Sequence, residues 1–285
     1  MRLRTALLAA FLGLAVWGAL LAQNPFKQYP AFEYDNFPVP DGWDRKTEWT
    51  RARLRYPDIY GYSLTQKLYD RRTGTEYAGY WTMDYPRSDR HLLEGIGRLT
   101  RIETRPVEQV VAFDGTDDVF NWPTLYGVEV GHWMLPDDQA KQFREYLLRG
   151  GFFMCDDFHG TAPYHGVPEW DTFLNSITKV FPDRPIEDIP DDDPIFHTVY
   201  DLQERFQVPG AVYFESGLTY EAGETGKTPH WRCIRDSHGR IMVAICHNMD
   251  LGDAWEHSDE ARYQEKWASL AYRIAVNYFV YDLTH

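Results

Sequence analysis

Apolar positions along the chain alternate between two periods. "VEQVVAF", "TLYGVEVGHW" and "GFFMCDD" are short runs rich in β-branched and aromatic residues, bounded by turn formers, as buried strands require. Between them stand segments with helical spacing. In "SDRHLLEGIGRL", Ser88 is placed to cap a helix whose Leu92, Ile96 and Leu99 recur on one face. The next helix has Pro136 in its first turn, Asp137 and Asp138 beside its positive end, and Ala140, Phe143 and Leu147 on one stripe; Gly150 supplies its left-handed stop. "YAGYWTMD" reads as an apolar strand ending at Asp84, and "WTRARLRYP" as a first strand. "VPEWDTFLNSITKVF" predicts a helix, and "HWRCIRDSHGRIMVAICHN" a hairpin turning at residues 237–239. A final helix aligns Tyr263, Trp267, Leu270, Ala271, Ile274 and Tyr278 as a core stripe.

Strands separated by helices imply crossover connections, hence an α/β fold: a mainly parallel sheet with helices on both faces, completed by a C-terminal hairpin and helix. Ahead of it, "YPAFEYDNFPVPDGW" holds too many prolines for a helix and predicts an extended arm. The division expected is a leader over residues 1–22, a proline- and aromatic-rich arm over 23–47, and a single α/β domain over 48–285.

Composition narrows the partners. The 285 residues are 44% hydrophobic and 16% aromatic, enough for a substantial core, and carry a formal charge of −14. So acidic a surface repels nucleic acid and anionic membranes. Three cysteines, Cys155, Cys233 and Cys246, make neither a disulfide framework nor a CxxC zinc pair, and are expected as small buried residues. Arg2 and Arg4 precede an uncharged, Leu- and Ala-rich run, the pattern of an export signal cut after Ala22. The protein is therefore expected in the periplasm or secreted; uncut, residues 5–26 would anchor it, its one contact with a membrane.

In open parallel sheets, ligands bind beyond the carboxyl ends of the strands. The expected strands end in Asp84, His132, Asp156, Asp157, and then His247, Asn248 and Asp250. Polar density is highest in "CDDFHGTAPYH", which adds His159 and His165, and in "CHNMDLGDAWEH", which adds Trp255. Asp156, Asp157, His159 and His247 are the candidate catalytic residues; Asp84, His132, His165, Asn248, Asp250 and Trp255 are candidate ligand contacts. His and carboxylate together suit a divalent metal, although no spacing matches a strong metal motif. Paired carboxylates would serve as general acid and base, but strand neighbours point to opposite faces, so Asp156 and Asp157 share a site only if the strand has ended. A Cys155–His247 nucleophile pair lacks the small neighbours of an elbow, since Phe153 and Asp157 occupy those places.

"WTRARLRYP", "WTMDYPRSD", "LRGGFFMCDDFHG", "MDLGDAWE" and "VNYFVYDLTH" occur in order over nearly the whole chain after the leader. They resemble a bacterial family of unknown function, the one numbered 4159. The resemblance implies a fold similar to class I glutamine amidotransferases (flavodoxin-like) and an exported or membrane-tethered setting, with no established reaction. Amidotransferase domains carry a Cys elbow after one strand and His-Pro-Glu after a later one. Here "GGFFMCDDFHG" has no elbow, and Asn248 and Met249 follow His247 in place of Pro-Glu. The expected function is thus capture of a small polar ligand, glycan or envelope protein in the cleft; the alternative is an Asp/His hydrolase of glycans or amides, with or without a metal. On this reading Asp157 lies beside His247 and raises its pKa.

Export is checked by N-terminal sequencing of envelope-fraction protein, which should begin at Gln23. Recovery of intact Met1 from soluble cytoplasm contradicts it.

Overall fold

The computed structural model describes residues 24–60, 64, 67–70, 74–163 and 166–285. The expected leader, residues 1–22, and His165 lie outside them. In chain order the elements are β1 (Ala52–Leu54), β2 (Leu68–Asp70), β3 (Thr75–Tyr77), α1 (Arg87–Leu99), β4 (Gln109–Val111), β5 (Thr124–Gly127), α2 (Asp137–Leu148), β6 (Phe152–Cys155), α3 (Glu169–Val180), β7 (Glu187–Asp188), α4 (Tyr213–Ser216), β8 (His230–Arg235), β9 (Ile241–His247), α5 (Leu251–Glu256) and α6 (Glu265–Thr284). Seven strands form one sheet in the order β4-β1-β5-β6-β9-β8-β7. The first five run parallel, and β8 and β7 add antiparallel at one side.

Period-two alternation sends each strand's side chains to two different cores. Tyr126, Phe152, Met154, Ala244 and Cys246 pack with α1, α5 and α6 on one face. Leu125, Phe153, Cys155, Val243 and Ile245 pack with α2 and α3 on the other. Each large apolar side chain so buried contributes about 1.5–3 kcal/mol. The α/β architecture, the hairpin, the core stripe of α6 and the burial of all three free cysteines agree with the sequence pattern. Among the described residues no helix is long and apolar enough to cross a membrane.

Two strand expectations differ. "YAGYWTMD" does not extend: Tyr80–Thr82 form a 3-10 turn, because Gly79 takes φ 130° and the chain bonds back on itself. Trp81 Nε1 donates to the Ala78 carbonyl (3.0 Å) and Thr82 Oγ1 to that of Gly79 (2.7 Å). Asp84 therefore sits in a loop leading into α1 and not at a strand end. "TLYGVEVGHW" leaves the sheet after Gly127, and Val130–His132 form another 3-10 turn. Ser88 lies inside the first turn of α1, with Pro86 at the cap.

The alternation in "TRARL" puts Ala52 and Leu54 on one face and turns Arg51 and Arg53 toward α1. Both arginines are wholly buried around Asp89, with Arg51 Nε 3.2 Å from Oδ1 and Arg53 Nη2 2.8 Å from Oδ2. The Arg51 guanidinium also lies 3.5 Å from the centroid of the Tyr126 ring. Arg53 Nη1 donates to the carbonyls of Trp81 (2.9 Å) and Met83 (3.0 Å), which fixes the loop that carries Asp84. The N-terminal arm lies over this region: Tyr29 meets Trp81 edge-on at 5.3 Å, and Glu33 Oε2 accepts from the Asp84 amide (3.1 Å).

Removing one partner of a buried ion group leaves uncompensated charge. Asp89→Asn is expected to cost about 3–5 kcal/mol in a urea denaturation curve; a loss below about 1 kcal/mol would show that the two arginines do not depend on it.

Candidate functional site

The polar residues of this fold gather where β5, β6 and β9 end. Backbone at each exit takes a left-handed conformation on a non-glycine residue: Glu129 after β5 (φ 51°), Asp157 after β6 (φ 52°) and Asn248 after β9 (φ 63°); Asp84, in the loop before α1, does the same (φ 59°). Each costs about 1–3 kcal/mol unless the surroundings hold it. They are held by bonds between the exits. The Asp157 amide donates to the Met249 carbonyl (2.9 Å) and the Asn248 amide to that of Phe158 (3.1 Å). Asn248 Oδ1 accepts from the Gly160 amide (2.7 Å), and Nδ2 donates to the carbonyls of Thr225 and Thr228. Asn248 is thus a backbone pin.

At the centre, Asp84, Asp157 and Asp250 converge, with one carboxylate oxygen from each within 4.8 Å of the others. They are 2%, 7% and 3% exposed. Burial, and then the mutual repulsion of neighbouring carboxylates, pushes all three well above the usual carboxyl range. Among the described residues none of the three pairs with a lysine or arginine. His159 Nε2 lies 3.2 Å from Asp157 Oδ1, and Asp250 Oδ1 accepts from the Asp253 amide, capping α5.

Asp156 points elsewhere. Although β6 ends at Cys155, its carboxylate turns to α5, where Oδ2 accepts from the amides of Leu251 (2.7 Å) and Gly252 (3.1 Å). Burial raises it to about 6, moderated by Tyr126, Arg51 and those amides. Two adjacent aspartates therefore do two jobs: Asp156 holds a helix start and Asp157 faces the cluster.

His247 stands apart from the carboxylates. Its Nδ1 is 3.4 Å from Arg232 Nη1 and Nε2 is 3.3 Å from the Gly160 carbonyl. A guanidinium only donates, so Nδ1 accepts and Nε2 carries the proton: the neutral tautomer. Its ring lies 4.6 Å from that of Trp170, and burial together with Arg232 depresses it to about 3. The expected Asp157–His247 pairing is therefore replaced by Asp157–His159, because β9 turns His247 toward α3 and β8. Cys155 is buried with Sγ 3.8 Å from the Ala244 carbonyl, and burial raises its thiol. Trp255 is fully buried against Tyr126 and Arg51, in the core and not in a cleft.

Two neighbouring groups complete the corner. His132 Nδ1 meets Glu129 Oε2 at 2.9 Å; burial opposes its charge, but Glu129 prevails and its pKa rises. Glu169, raised to about 8 by burial and by Glu129, accepts from the His159 amide (2.6 Å). On α5, Asp253 and Glu256 surround His257, which overcomes burial through Asp253 and is pushed up to about 9. Glu33, Glu129, Glu169, Glu221, Asp253 and Glu256 were not singled out by sequence pattern. Only Asp253 and Glu256 left a signal, a helical i,i+3 spacing within "DAWEH". A groove of about 980 Å³ between α1 and α6, lined by His91, Arg98, Asp259, Tyr272 and Arg273, contains none of the three central carboxylates.

The sequence model of a family described as "Domain of unknown function (DUF4159)" matches residues 71–283. Among curated proteins none matches the chain.

A histidine whose folded pKa is depressed contributes stability that is lost as pH falls below its unfolded value of about 6.5. NMR of the His247 imidazole should accordingly show no titration between pH 5 and 8, in the wild type and in Asp157→Asn alike. A midpoint inside that window, moved by the substitution, would restore the direct pairing.

Proposed function

We propose that this chain, which belongs to the DUF4159 family, is an exported cell-envelope domain of glutamine amidotransferase-like build that holds a hydroxyl- or amine-rich ligand, in the manner of a glycan, above its acidic corner. The observation that carries this reading is the convergence of Asp84, Asp157 and Asp250 from three separate segments onto the carboxyl edge of the sheet. Carboxylates accept hydrogen bonds from hydroxyl and ammonium groups and repel anions, so this corner selects neutral or amine-bearing polar ligands. Glu33 and Glu221, beside the buried floor, extend the acceptor surface toward solvent.

The amidotransferase likeness is supported by placement. Cys155 ends β6 and His247 ends the later strand β9, the order of thiol and imidazole in such a domain, and here the two strands are parallel neighbours. Neither is equipped for that chemistry: the thiol is buried with a raised pKa, and the imidazole stays neutral with Arg232 as its neighbour. With neither Cys155 nor His247 equipped for it, binding is favoured over thiol-based hydrolysis. A second reading, a carboxylate hydrolase, is favoured by one observation: Asp157, raised by burial and by its acidic neighbours and contacting His159, is suited to donate a proton as a general acid.

A glycan array probed with protein lacking residues 1–22, followed by calorimetry of the hits, tests the first reading. Neutral or amino-sugar glycans should bind, and Asp157→Asn should weaken them about tenfold, or about 1.4 kcal/mol. Retention of no glycan, or binding that ignores the substitution, contradicts it. Product release from a bound glycan, abolished by Asp157→Asn, would select the hydrolase.

A further inference from the structure

The two acidic groups of this corner differ in one respect. Asp253 and Glu256 come with a cation of their own, His257. Asp84, Asp157 and Asp250 are buried together with no lysine or arginine partner among the described residues, and share only the His159 imidazole, 3.2 Å from Asp157 Oδ1. Arg53 approaches Asp84 from β1, but its Nε and Nη1 donate to Asp89 and to the carbonyls of Trp81 and Met83, and its Nη2 faces Asp89 Oδ2 at 2.8 Å.

We infer that Asp84, Asp157 and Asp250 are the protein ligands of a hard divalent cation of the Ca²⁺, Mg²⁺ or Mn²⁺ class, held at the floor of the corner. This deepens the proposed ligand site and rests on its placement. Three features carry it beyond a mere collection of acids. The three oxygens lie within 4.8 Å of one another, a spacing that fits around one cation with metal–oxygen distances of about 2.0–2.6 Å. Asp84 Oδ2 is buried and accepts no hydrogen bond, so a carboxylate oxygen is left open inside the protein. That oxygen points at the first turn of α5, the helix Asp250 caps, and the backbone there leaves it room: a Cβ on Gly252 would collide with Asp84 Oδ2, and one on Gly210 with Asp250 Oδ2.

The donor set decides the class of ion. All three ligands are carboxylate oxygens, and neither sulfur nor imidazole belongs to the set, which suits hard cations and not zinc or copper. His159 supports one ligand from outside, its Nε2 3.2 Å from Asp157 Oδ1, as metal-binding carboxylates are themselves held by hydrogen bonds. At 2–7% exposure the three carboxylates are too deeply placed to meet a sugar ring themselves. The cation would present its open positions to the hydroxyls of a ligand resting on the rim.

The test is calorimetric titration of EDTA-stripped protein lacking residues 1–22 with Ca²⁺, Mg²⁺ and Mn²⁺ separately, with melting temperature measured in parallel. One cation per chain should bind with Kd at or below about 1 mM and raise the melting temperature. Asp84→Asn should weaken binding at least tenfold while leaving the metal-free melting temperature unchanged or higher, since it removes a repelling charge; a purely structural aspartate would lower it. Asp157→Asn gives the same readout if the first variant does not fold. Absence of binding by all three cations, or unaltered affinity in a folded variant, overturns the inference. Glycan retention that survives EDTA in a protein that binds no cation would overturn the cation and keep the ligand site. Cation binding without glycan retention would do the reverse.

Discussion

A single buried guanidinium joins the sheet to the corner where the chemistry gathers. Arg53 stands on β1, pairs with Asp89 in the first turn of α1, and hooks the carbonyls of Trp81 and Met83. Those carbonyls lie just before Asp84, so the same side chain that fixes α1 on the sheet fixes a left-handed aspartate at its edge. Two arginines are buried about one carboxylate, with Asp156 also acting on Arg51 and the Tyr126 ring facing its guanidinium. Such groups are costly to desolvate and are stable only when their partners are kept in place. The arm, the loop and α1 are therefore held to one geometry around Arg53, and Asp84 is placed by it.

The corner itself is governed by unbalanced negative charge. Each of the three carboxylates resists ionisation first because it is buried and then because acidic neighbours repel it: Asp253, Glu256 and Glu33 around Asp84, Glu129 and Asp84 around Asp157, Asp157 and Asp253 around Asp250. Within the same helix turn, Asp253 is kept below the usual range, despite burial, by bonds from His257 and from the Asp250 carboxyl. The contrast separates a balanced structural cluster from one whose balance is incomplete. A bound cation would lower all three carboxyl pKa values together and relieve the repulsion that the left-handed residues and cross-linked strand exits now hold in check.

Much of the fold was legible because its periods are unambiguous. Leu92 and Ile96 on α1, Phe143 and Leu147 on α2, and the stripe of α6 pack as their spacing implies. "YAGYWTMD" misled because apolar content alone does not separate a strand from a buried turn, and Gly79 with Thr82 decided for the turn. At the site, strand-end density found Asp157 and Asp250, while Asp84 was reached through a strand that does not form, and neither said which residues would meet. Asp156 was drawn away by the amides of α5, Asn248 by three backbone groups and His247 by Arg232. Those are long-range partners, and one chain's sequence does not reveal them. Glu33 was hidden for the same reason, lying in an arm without periodicity that reaches Asp84 only in the folded protein.

Anomalous diffraction from crystals of the protein grown with Mn²⁺ tests the central proposal most directly. The predicted result is one strong peak within about 2.0–2.6 Å of an oxygen from each of Asp84, Asp157 and Asp250, lost in crystals soaked with EDTA. Electron density with no peak at that position, and with the three carboxyls hydrogen-bonded directly to one another through shared protons, would contradict it.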